Sequence, residues 1–500
     1  MNDNILINQA RSLSQNGKAQ DALTLLDNAR IKQNSAALLI EMATILSGLG
    51  AQDDAIKILD EGLRSFPDNP SMAIVYANHT YIANQPTKGL KATTRWIALP
   101  NCSPELLLTH AHLLKANGDV DAAETFYKKV LALDPANSSA LVGIGGIELD
   151  NSNYAAALDA LRKALSADPQ NALIKTQLAY AEFRSGDLAQ GWQHYNARFE
   201  NIVKHRSFTQ PQWNGKVLQN GKLLVWGEQG VGEEILYSSM FNDARRLCQD
   251  GLIVECDARL KALFERSFHG ITFIARCDPP DSALTHTSIV AQSSAGQLGQ
   301  VLRNSFDTFP IQAKLLTPDE SKVAQLKARY ADLKRQYGKE GRVIGVSWKS
   351  KPLRQGDPKS SSIADWAPLF ENSPHLFVSL QYGDIADDLA LAKKSNWTII
   401  DDTSVNQRAS LDDFAAQISA LDEVITVSNT TAHMAGACGI KTCVLLPRAR
   451  GLMWHWFDKE KPSASLSLTT SPWYPSVTLL RQQQDGMWAD AIEKAKNSLE

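Results

Sequence analysis

The chain has 500 residues, which is too long for one hydrophobic core and predicts two to four domains. Basic and acidic residues are nearly balanced, at 51 and 54, and no basic block suggests a nucleic-acid partner. No run of about 18 apolar residues predicts a membrane span, and the N-terminus lacks the apolar segment of a secretory signal. We therefore expect a cytoplasmic protein.

The six cysteines do not form a recognisable framework. None belongs to a C-x-x-C pair, and no histidine stands at zinc-finger spacing from them. We therefore expect buried, reduced thiols and neither a metal site nor a redox site.

The first 200 residues repeat with a period near 34. In most repeats, a small residue is followed five positions later by another small residue. Where successive repeats both carry such a pair, its first residue recurs after 33 or 34 residues. The pairs are Gly17 and Ala22, Gly50 and Ala55, Gly118 and Ala123, Ser152 and Ala157, and, in degenerate form, Gly186 and Gly191. Small residues of this kind permit two helices to cross closely. The register is poor between about 76 and 98.

This period resembles the tetratricopeptide repeat and predicts five or six helical hairpins between residues 5 and 200. Such solenoids leave an extended concave groove. The groove is interpreted as a docking surface for a partner protein, with self-association or plain scaffolding as the alternative. His79, His110 and His112 fall in this region, and we assign them no chemistry.

Beyond residue 220, short apolar runs alternate with amphipathic stretches. One series covers 223–291 and another covers 343–446, with a charged helical connection at 315–337 between them. Alternation of this kind predicts two parallel sheets with crossover helices, as in Rossmann-like lobes. The predicted architecture is α + α/β, with ligands bound beyond the carboxyl ends of the strands.

The predicted domain boundaries follow from these patterns. They are a repeat domain at 1–200, a linker at 201–220, a first lobe at 221–338, a second lobe at 339–478 and a C-terminal helix at 479–500.

A glycine-rich turn, Gly227-Glu228-Gln229-Gly230-Val231-Gly232-Glu233-Glu234, joins a predicted strand at 223–226 to a predicted helix at 235–248. Glycines let a ligand approach the backbone, and a helix start offers unpaired N–H groups. Glu233 is either a general base or a residue that favours the helix dipole. The glycine spacing is not the dinucleotide fingerprint, although Glu255 or Asp257 could contact the ribose of NAD.

Three further segments follow predicted strands or lie in loops. The first carries Ser347-Trp348-Lys349-Ser350-Lys351, then Arg354, Lys359 and three serines, which suit phosphate or form a solvated basic loop. The second, at 427–439, begins a small-residue helix with His433 in its first turn, facing a ligand or packed in the core. The third is the aromatic run Trp454-His455-Trp456-Phe457, with Trp473-Tyr474 further on, suited to sugar stacking or to packing between lobes.

Taken in order, the segments GEQGVGEEILYSSM, GVSWKS, SLQYG, SNTTAHMAGACG with VLLP, and SPWYPS with LLRQQQDGMW resemble the GT-B glycosyltransferases. Within them, they resemble the heptosyltransferase-like group fused to tetratricopeptide repeats. The resemblance covers about 220–500. It implies an acceptor bound mainly by the first lobe and a nucleotide-activated sugar bound mainly by the second, with no metal and no cofactor.

The resemblance also implies roles for individual residues. Glu233, where many relatives carry Asp, is the implied base, with Glu234 as a fallback. His433 is the third implied catalytic residue, and Lys349 is expected to neutralise the nucleotide phosphate. Asn429-Thr430 replaces an Asp-Thr element of relatives. The implied donor-binding set is Gly230, Gly232, Trp348, Lys349, Gln381, Asn429, Thr430 and Thr431.

Repeats beside such a domain indicate a protein acceptor, because a transferase acting on a lipid-linked sugar has no evident need of six repeats. We therefore expect transfer of sugar to Ser or Thr hydroxyls, with flagellin as a candidate acceptor, since similar bacterial fusions modify it. The alternatives are a non-catalytic adaptor with a degenerate transferase domain, and a transferase that extends lipopolysaccharide or another glycan.

Overall fold

A computed structural model describes residues 3–99, 101–201, 203, 205–350, 358–457 and 469–499. Their contacts divide the chain into two compact units. The first is Met1–Glu148 with Ala155–Gln170, and the second is Leu149–Tyr154 with Asn171–Glu500. The second unit therefore begins about 30 residues before the boundary expected at residue 200.

The described part of the repeat region consists of α-helices joined by short turns. These helices are α1 (Asp3–Gln15), α2 (Ala19–Lys32), α3 (Ala36–Gly48), α4 (Gln52–Ser65), α5 (Pro70–Ile82), α6 (Pro86–Ile97), α7 (Pro104–Asn117), α8 (Val120–Leu133), α9 (Ser138–Asp150), α10 (Tyr154–Ala167), α11 (Ala172–Ser185) and α12 (Leu188–Tyr195). Successive helices pack as hairpins, including α1 with α2 and α7 with α8. The region is the all-helical solenoid that the sequence predicts.

The period is more regular than the sequence alone indicates. Six turn residues adopt positive φ angles and end the first helix of a hairpin. They are Gly17 (φ 76°), Gly50 (79°), Asn84 (56°), Gly118 (93°), Ser152 (59°) and Gly186 (87°). Asn84 fills the gap in the register, since Asn tolerates the left-handed conformation. The described residues therefore contain six such hairpins, each with one of these turns between its two helices.

The two members of each small-residue pair have different roles. The first member forms the left-handed turn, and a Cβ added to Gly17, Gly50 or Gly118 would meet no atom within 4 Å. The second member packs between helices: Ala22 is fully buried, and Gly89, five positions after Asn84, has no room for a side chain, since a Cβ there would lie 2.5 Å from Thr80 Oγ1. The expectation that both members serve helix crossing is therefore wrong for the first.

The second unit adds parallel strands and shorter helices. The strands are β1 (Lys222–Trp226), β2 (Leu252–Cys256), β3 (Ile271–Ala275), β4 (Ile289–Ser294), β5 (Val343–Ser347), β6 (Leu376–Ser379), β7 (Ile399–Ile400), β8 (Glu423–Val427), β9 (Thr442–Leu446) and β10 (Val477–Arg481). The helices are α13 (Arg198–Asn201), α14 (Val231–Ser238), α15 (Phe241–Arg246), α16 (Lys261–Ser267), α17 (Leu298–Leu302), α18 (Glu320–Gln336), α19 (Ala367–Phe370), α20 (Ala386–Lys394), α21 (Leu411–Ser419), α22 (Thr430–Ala437) and α23 (Ala489–Asn497). Short 3-10 helices occur at Ser282–Thr285, Phe306–Thr308, Ile363–Trp366 and Trp454–Trp456.

The strands form two sheets whose pairings are all parallel. The first has the order β3-β2-β1-β4, and the second has the order β10-β9-β8-β5-β6-β7. In the second sheet, β5 comes first along the chain and lies between β6 and β8. This arrangement is the doubly wound Rossmann order. The order therefore reverses between β5 and β8, where such sheets bind ligands. The α + α/β fold with two parallel sheets is confirmed.

Two predicted helices differ from the structure. The helix expected at 235–248 begins earlier, at Val231, and is interrupted between α14 and α15. Part of the helix expected at 479–500 is strand β10, because Val477 and Leu479 alternate into the core and pair with β9. Only Ala489–Asn497 of that segment is helical.

The last hairpin, α11 and α12, is anchored to the α/β part of the second unit. The ring of Phe183 stacks on Trp454 with centroids 4.3 Å apart. The indole N–H of Trp192 donates to the Arg303 carbonyl at 2.8 Å. These buried aromatic contacts explain why the compact unit includes the final repeat.

Candidate functional site

The N-termini of α14 and α22 meet, although the two helices follow strands of different sheets. A Cβ added to Gly232 would lie 3.2 Å from His433 Cδ2 and 3.6 Å from Thr430 Oγ1, so glycine permits this approach. Beside the contact lies a cavity of about 150 Å³, called the cleft below. Its lining residues are Gly232, Glu233, Ser350, Lys359, Tyr382, Ser428, Asn429, Thr430, His433, Met453 and His455.

Glu233 lies in the first turn of α14 and lines the cleft. Within the described part of the chain, no group forms a hydrogen bond or ion pair with its carboxylate. No side chain caps α14, whose N-cap residue is Gly230. The first N–H groups of this helix are therefore open to an anion.

Glu234, the next residue, is buried and lies outside the cleft lining. Its carboxylate pairs with Arg276 and accepts a hydrogen bond from the Asp257 backbone N–H at 2.8 Å. The fallback base of the sequence analysis is thus held in a structural ion pair.

Glu228, earlier in the same turn, is a structural residue that the sequence analysis did not single out. It pairs with Arg198 at 2.6 Å, and both side chains are almost fully buried. It also accepts from the Gly296 N–H at 2.9 Å, while Arg198 lowers the pKa of its carboxyl group despite burial. The pair fixes the turn to the segment that follows α12.

The predicted donor-binding residues Trp348 and Gln381 shape the loop after β5. Gln381 Oε1 accepts from the backbone N–H groups of Trp348 at 3.0 Å and Lys349 at 2.7 Å. Trp348 itself is fully buried, and its indole N–H donates to Asp388 at 3.0 Å. Neither residue lines the cleft.

Lys349, which is expected to neutralise the nucleotide phosphate, also lies outside the cleft lining. Its ammonium group pairs with Asp388 at 2.6 Å, on the same oxygen that accepts from Trp348. Of the lysines that the structure describes, Lys359 lines the cleft. Two other basic residues of this predicted segment, Lys351 and Arg354, lie outside the described residues.

Asn429 caps α22 and has no free hydrogen-bonding capacity. Its Oδ1 accepts from the Thr431 N–H at 2.9 Å and from Thr426 Oγ1 at 3.1 Å. Its Nδ2 donates to Ser347 Oγ at 2.8 Å and to the Lys349 carbonyl at 3.2 Å. A carboxylate could not donate to that carbonyl, which gives a physical reason for Asn in place of Asp. Thr430 lines the cleft, whereas Thr431 is fully buried.

His433 forms part of the cleft wall. Its ring stacks on Trp456 with centroids 5.0 Å apart, and Nδ1 lies 3.2 Å from the Tyr474 hydroxyl. Burial lowers the pKa of His433 to about 3, so the ring is neutral at pH 7. It can offer one donor or one acceptor on Nε2, according to its tautomer.

His455 also lines the cleft, and the sequence analysis gave it no separate role. Its neighbours in the run pack against other aromatic rings. Trp454 stacks on Phe183, and Phe457 contacts Phe306 edge to face. Both packing and cleft lining thus occur within one four-residue segment. The available signal was that His455 alone in this run carries two ring nitrogens.

A second cavity, of about 600 Å³, lies on the first sheet's side of the glycine-rich turn. Its lining residues are Val203, Arg206, Gly227, Glu228, Gln229, Arg276, Cys277 and Asp278. Arg206 pairs with the buried Glu255, and Arg259 pairs with Asp257 at 2.8 Å. Both acids suggested for an NAD ribose are therefore occupied by arginines.

The described residues contain no group of three or more His, Cys, Asp or Glu side chains placed to hold a metal ion. Over the same residues, no helix has both the length and the apolar character needed to cross a bilayer.

The repeat region resembles known protein families in sequence. Tetratricopeptide repeat family models match residues 13–78, 108–172 and 148–197. The repeats are tetratricopeptide repeats. A crystal structure of a thermophilic TPR protein from Thermus thermophilus shares 16% identity and covers 34% of this chain and 92% of its own, but its TM-score of 0.31 is too low to support an argument.

Two relatives match by sequence. Protein FlbA of Caulobacter vibrioides is 27% identical over 401 residues, which cover 76% of this chain and 64% of FlbA. The match therefore spans less than two thirds of that relative. A TPR repeat-containing protein of Pseudomonas aeruginosa is 29% identical over 76 residues, or 15% of this chain and 13% of its own length. Because the match covers 401 residues, the sequence similarity to FlbA extends well beyond the repeat region.

Proposed function

We propose that the second unit is a metal-independent glycosyltransferase. It moves a sugar from a nucleotide-activated donor to a Ser or Thr hydroxyl of a protein docked on the repeat groove, and flagellin is the candidate acceptor. The observation that carries this proposal is the carboxylate of Glu233, which has no partner in the described part of the chain and lies in a cleft walled by segments from both sheets.

The proposed reaction assigns roles to Glu233, to the start of α14 and to Lys359. Glu233 removes the proton of the acceptor hydroxyl, whose oxygen attacks the anomeric carbon as the bond to the phosphate oxygen breaks. The open N–H groups of α14 and the ammonium of Lys359 stabilise the negative charge on the departing nucleotide. This chemistry requires no metal.

The size of the cleft limits what it holds. Its volume of about 150 Å³ is below the roughly 300–1,000 Å³ of most small-molecule sites. In our proposal the cleft holds the sugar and its phosphate linkage, and the nucleoside extends beyond it.

The test uses purified full-length chain, a panel of nucleotide sugars and the variant Glu233→Gln. Thermal stabilisation identifies the donor, and release of its nucleotide reports turnover. We expect Glu233→Gln to keep donor binding and to lower turnover by about 10²- to 10⁴-fold, because the base is lost. Turnover equal to wild type would remove Glu233 from the role of base.

The non-catalytic adaptor remains a second candidate, and specific observations favour it. Lys349 is paired with Asp388, Asn429 is fully hydrogen-bonded, and the cleft is small. An adaptor would show no stabilisation by any nucleotide sugar and no nucleotide release. A transferase that extends lipopolysaccharide or another glycan would turn over donor but leave protein masses unchanged.

A further inference from the structure

His455 differs from the other buried histidines of the chain in its hydrogen bonding. Nδ1 of His79 lies 3.0 Å from Gln52 Nε2, Nδ1 of His110 lies 2.7 Å from Thr93 Oγ1, and Nδ1 of His433 lies 3.2 Å from the Tyr474 hydroxyl. Neither ring nitrogen of His455 has a partner among the described residues, although the side chain is only 2% exposed. Buried polar atoms without partners are rare and call for an explanation.

The position of His455 supplies that explanation. The ring lines the cleft, and its centroid lies 4.8 Å from that of His433. The surrounding turn is held by buried contacts: the Trp473 indole N–H donates to the His455 carbonyl at 3.0 Å, and Trp454 stacks on Phe183. The ring is therefore fixed at the cleft wall by packing, and no group among the described residues occupies its two nitrogens.

The chemistry of the ring favours one class of ligand group. Burial keeps the pKa of His455 well below its usual value, and Lys359 adds to this effect. A neutral imidazole presents one N–H donor and one lone-pair acceptor. A sugar hydroxyl both donates and accepts, so hydroxyl groups can satisfy both nitrogens. A phosphate oxygen only accepts and would leave the second nitrogen unpaired.

We propose that His455 is a specificity residue that hydrogen-bonds hydroxyl groups of the transferred sugar. The inference rests on the proposed function and assigns different parts of the substrates to different residues of the cleft. Lys359 and the start of α14 hold the phosphate, Glu233 faces the acceptor hydroxyl, and His455 distinguishes the sugar ring.

The test compares His455→Phe with wild type in the full-length protein. Calorimetric titration measures the Kd for each nucleotide sugar of the panel and for its parent nucleotide without sugar. We expect His455→Phe to weaken binding of the nucleotide sugar about 3- to 10-fold and to leave the Kd of the nucleotide unchanged, because only hydrogen bonds to the sugar are lost.

Stability supplies a second readout that a merely structural histidine would not give. Because Phe removes two buried, unpaired nitrogens, His455→Phe should raise Tm by about 2 °C. The matched control is His110→Phe, which replaces a histidine that is partnered by Thr93 and should lower Tm.

Any other result of the titrations or of the Tm measurement overturns the inference, and each result does so for a different reason. Equal weakening of nucleotide and nucleotide sugar would make His455 a phosphate ligand, and unchanged binding of both would remove it from the site. A lower Tm for His455→Phe would make it a packing residue. If wild type binds no nucleotide sugar, the proposed function itself fails, whatever the variant does.

Discussion

The two walls of the cleft place their polar groups differently. Near the wall from the first sheet, but outside the cleft lining, Glu228 and Glu234 are held in ion pairs with arginines, and the start of α14 is left uncapped. Near the wall from the second sheet, Gln381 and Asn429 bond the backbone of neighbouring loops, and α22 is capped. Most polar residues near the strand ends therefore build the loops. Among the ionisable side chains that line the cleft, Glu233 and His455 stand out because the described residues offer their polar side-chain atoms no partner.

The largest stability contrast should lie between the two adjacent glutamates in the first turn of α14. Glu234→Gln breaks a buried ion pair and should cost roughly 2–3 kcal/mol of unfolding free energy. Glu233→Gln changes a side chain to which the described residues offer no partner, and it should leave that free energy near the wild-type value. Urea denaturation of the two variants measures both. Equal losses would contradict the different roles assigned to these neighbours.

A smaller effect should appear on the second wall at mildly acidic pH. The pKa of His433 is about 3 when folded, against about 6.5 when unfolded. As pH falls below 6.5, the unfolded chain takes up the proton first, so folded stability is lost between pH 6.5 and pH 3.

Between pH 7 and pH 5, proton uptake by His433 in the unfolded chain lowers the free energy of unfolding by about 2 kcal/mol. Urea denaturation at those two pH values should therefore show that His433→Phe loses about 2 kcal/mol less than wild type does. Equal losses in the two proteins would mean that His433 is not buried as a neutral ring.

The smallest expected effect concerns Asn429→Asp, which restores the residue type of the resembling family. The carboxylate can no longer donate to the Lys349 carbonyl, so we expect a loss of about 1 kcal/mol in unfolding free energy. Donor turnover should not rise. An increase in turnover would show that the reaction needs a carboxylate at this position.

The fold followed from sequence because its signals are periodic. The 34-residue repeat and the alternation of strands and helices depend on many positions, so a single exception such as Asn84 does not hide them. Strand β10 was missed because its alternation lasts only five residues and precedes a true helix. The start of the second unit was missed because aromatic contacts between distant segments, such as Phe183 with Trp454, leave no local pattern.

The site was less accessible to sequence, since the same residue types serve structure and chemistry. Glu233 and Glu234 are indistinguishable as letters, yet Arg276 pairs with only one of them. Lys349 and Lys359 both follow β5, and the position of Asp388 decides which one faces the cleft. Only the three-dimensional partners of each side chain separate the two roles.

The most direct test of the central claim is intact-mass analysis of flagellin and other secreted proteins. It compares cells that carry the wild-type gene, no gene, or the Glu233→Gln variant. Transfer by the cleft predicts that at least one protein loses a sugar-sized mass increment both without the gene and with Glu233→Gln. If every mass is unchanged, or if the variant restores the full increment, the proposed role of this site in protein glycosylation is contradicted.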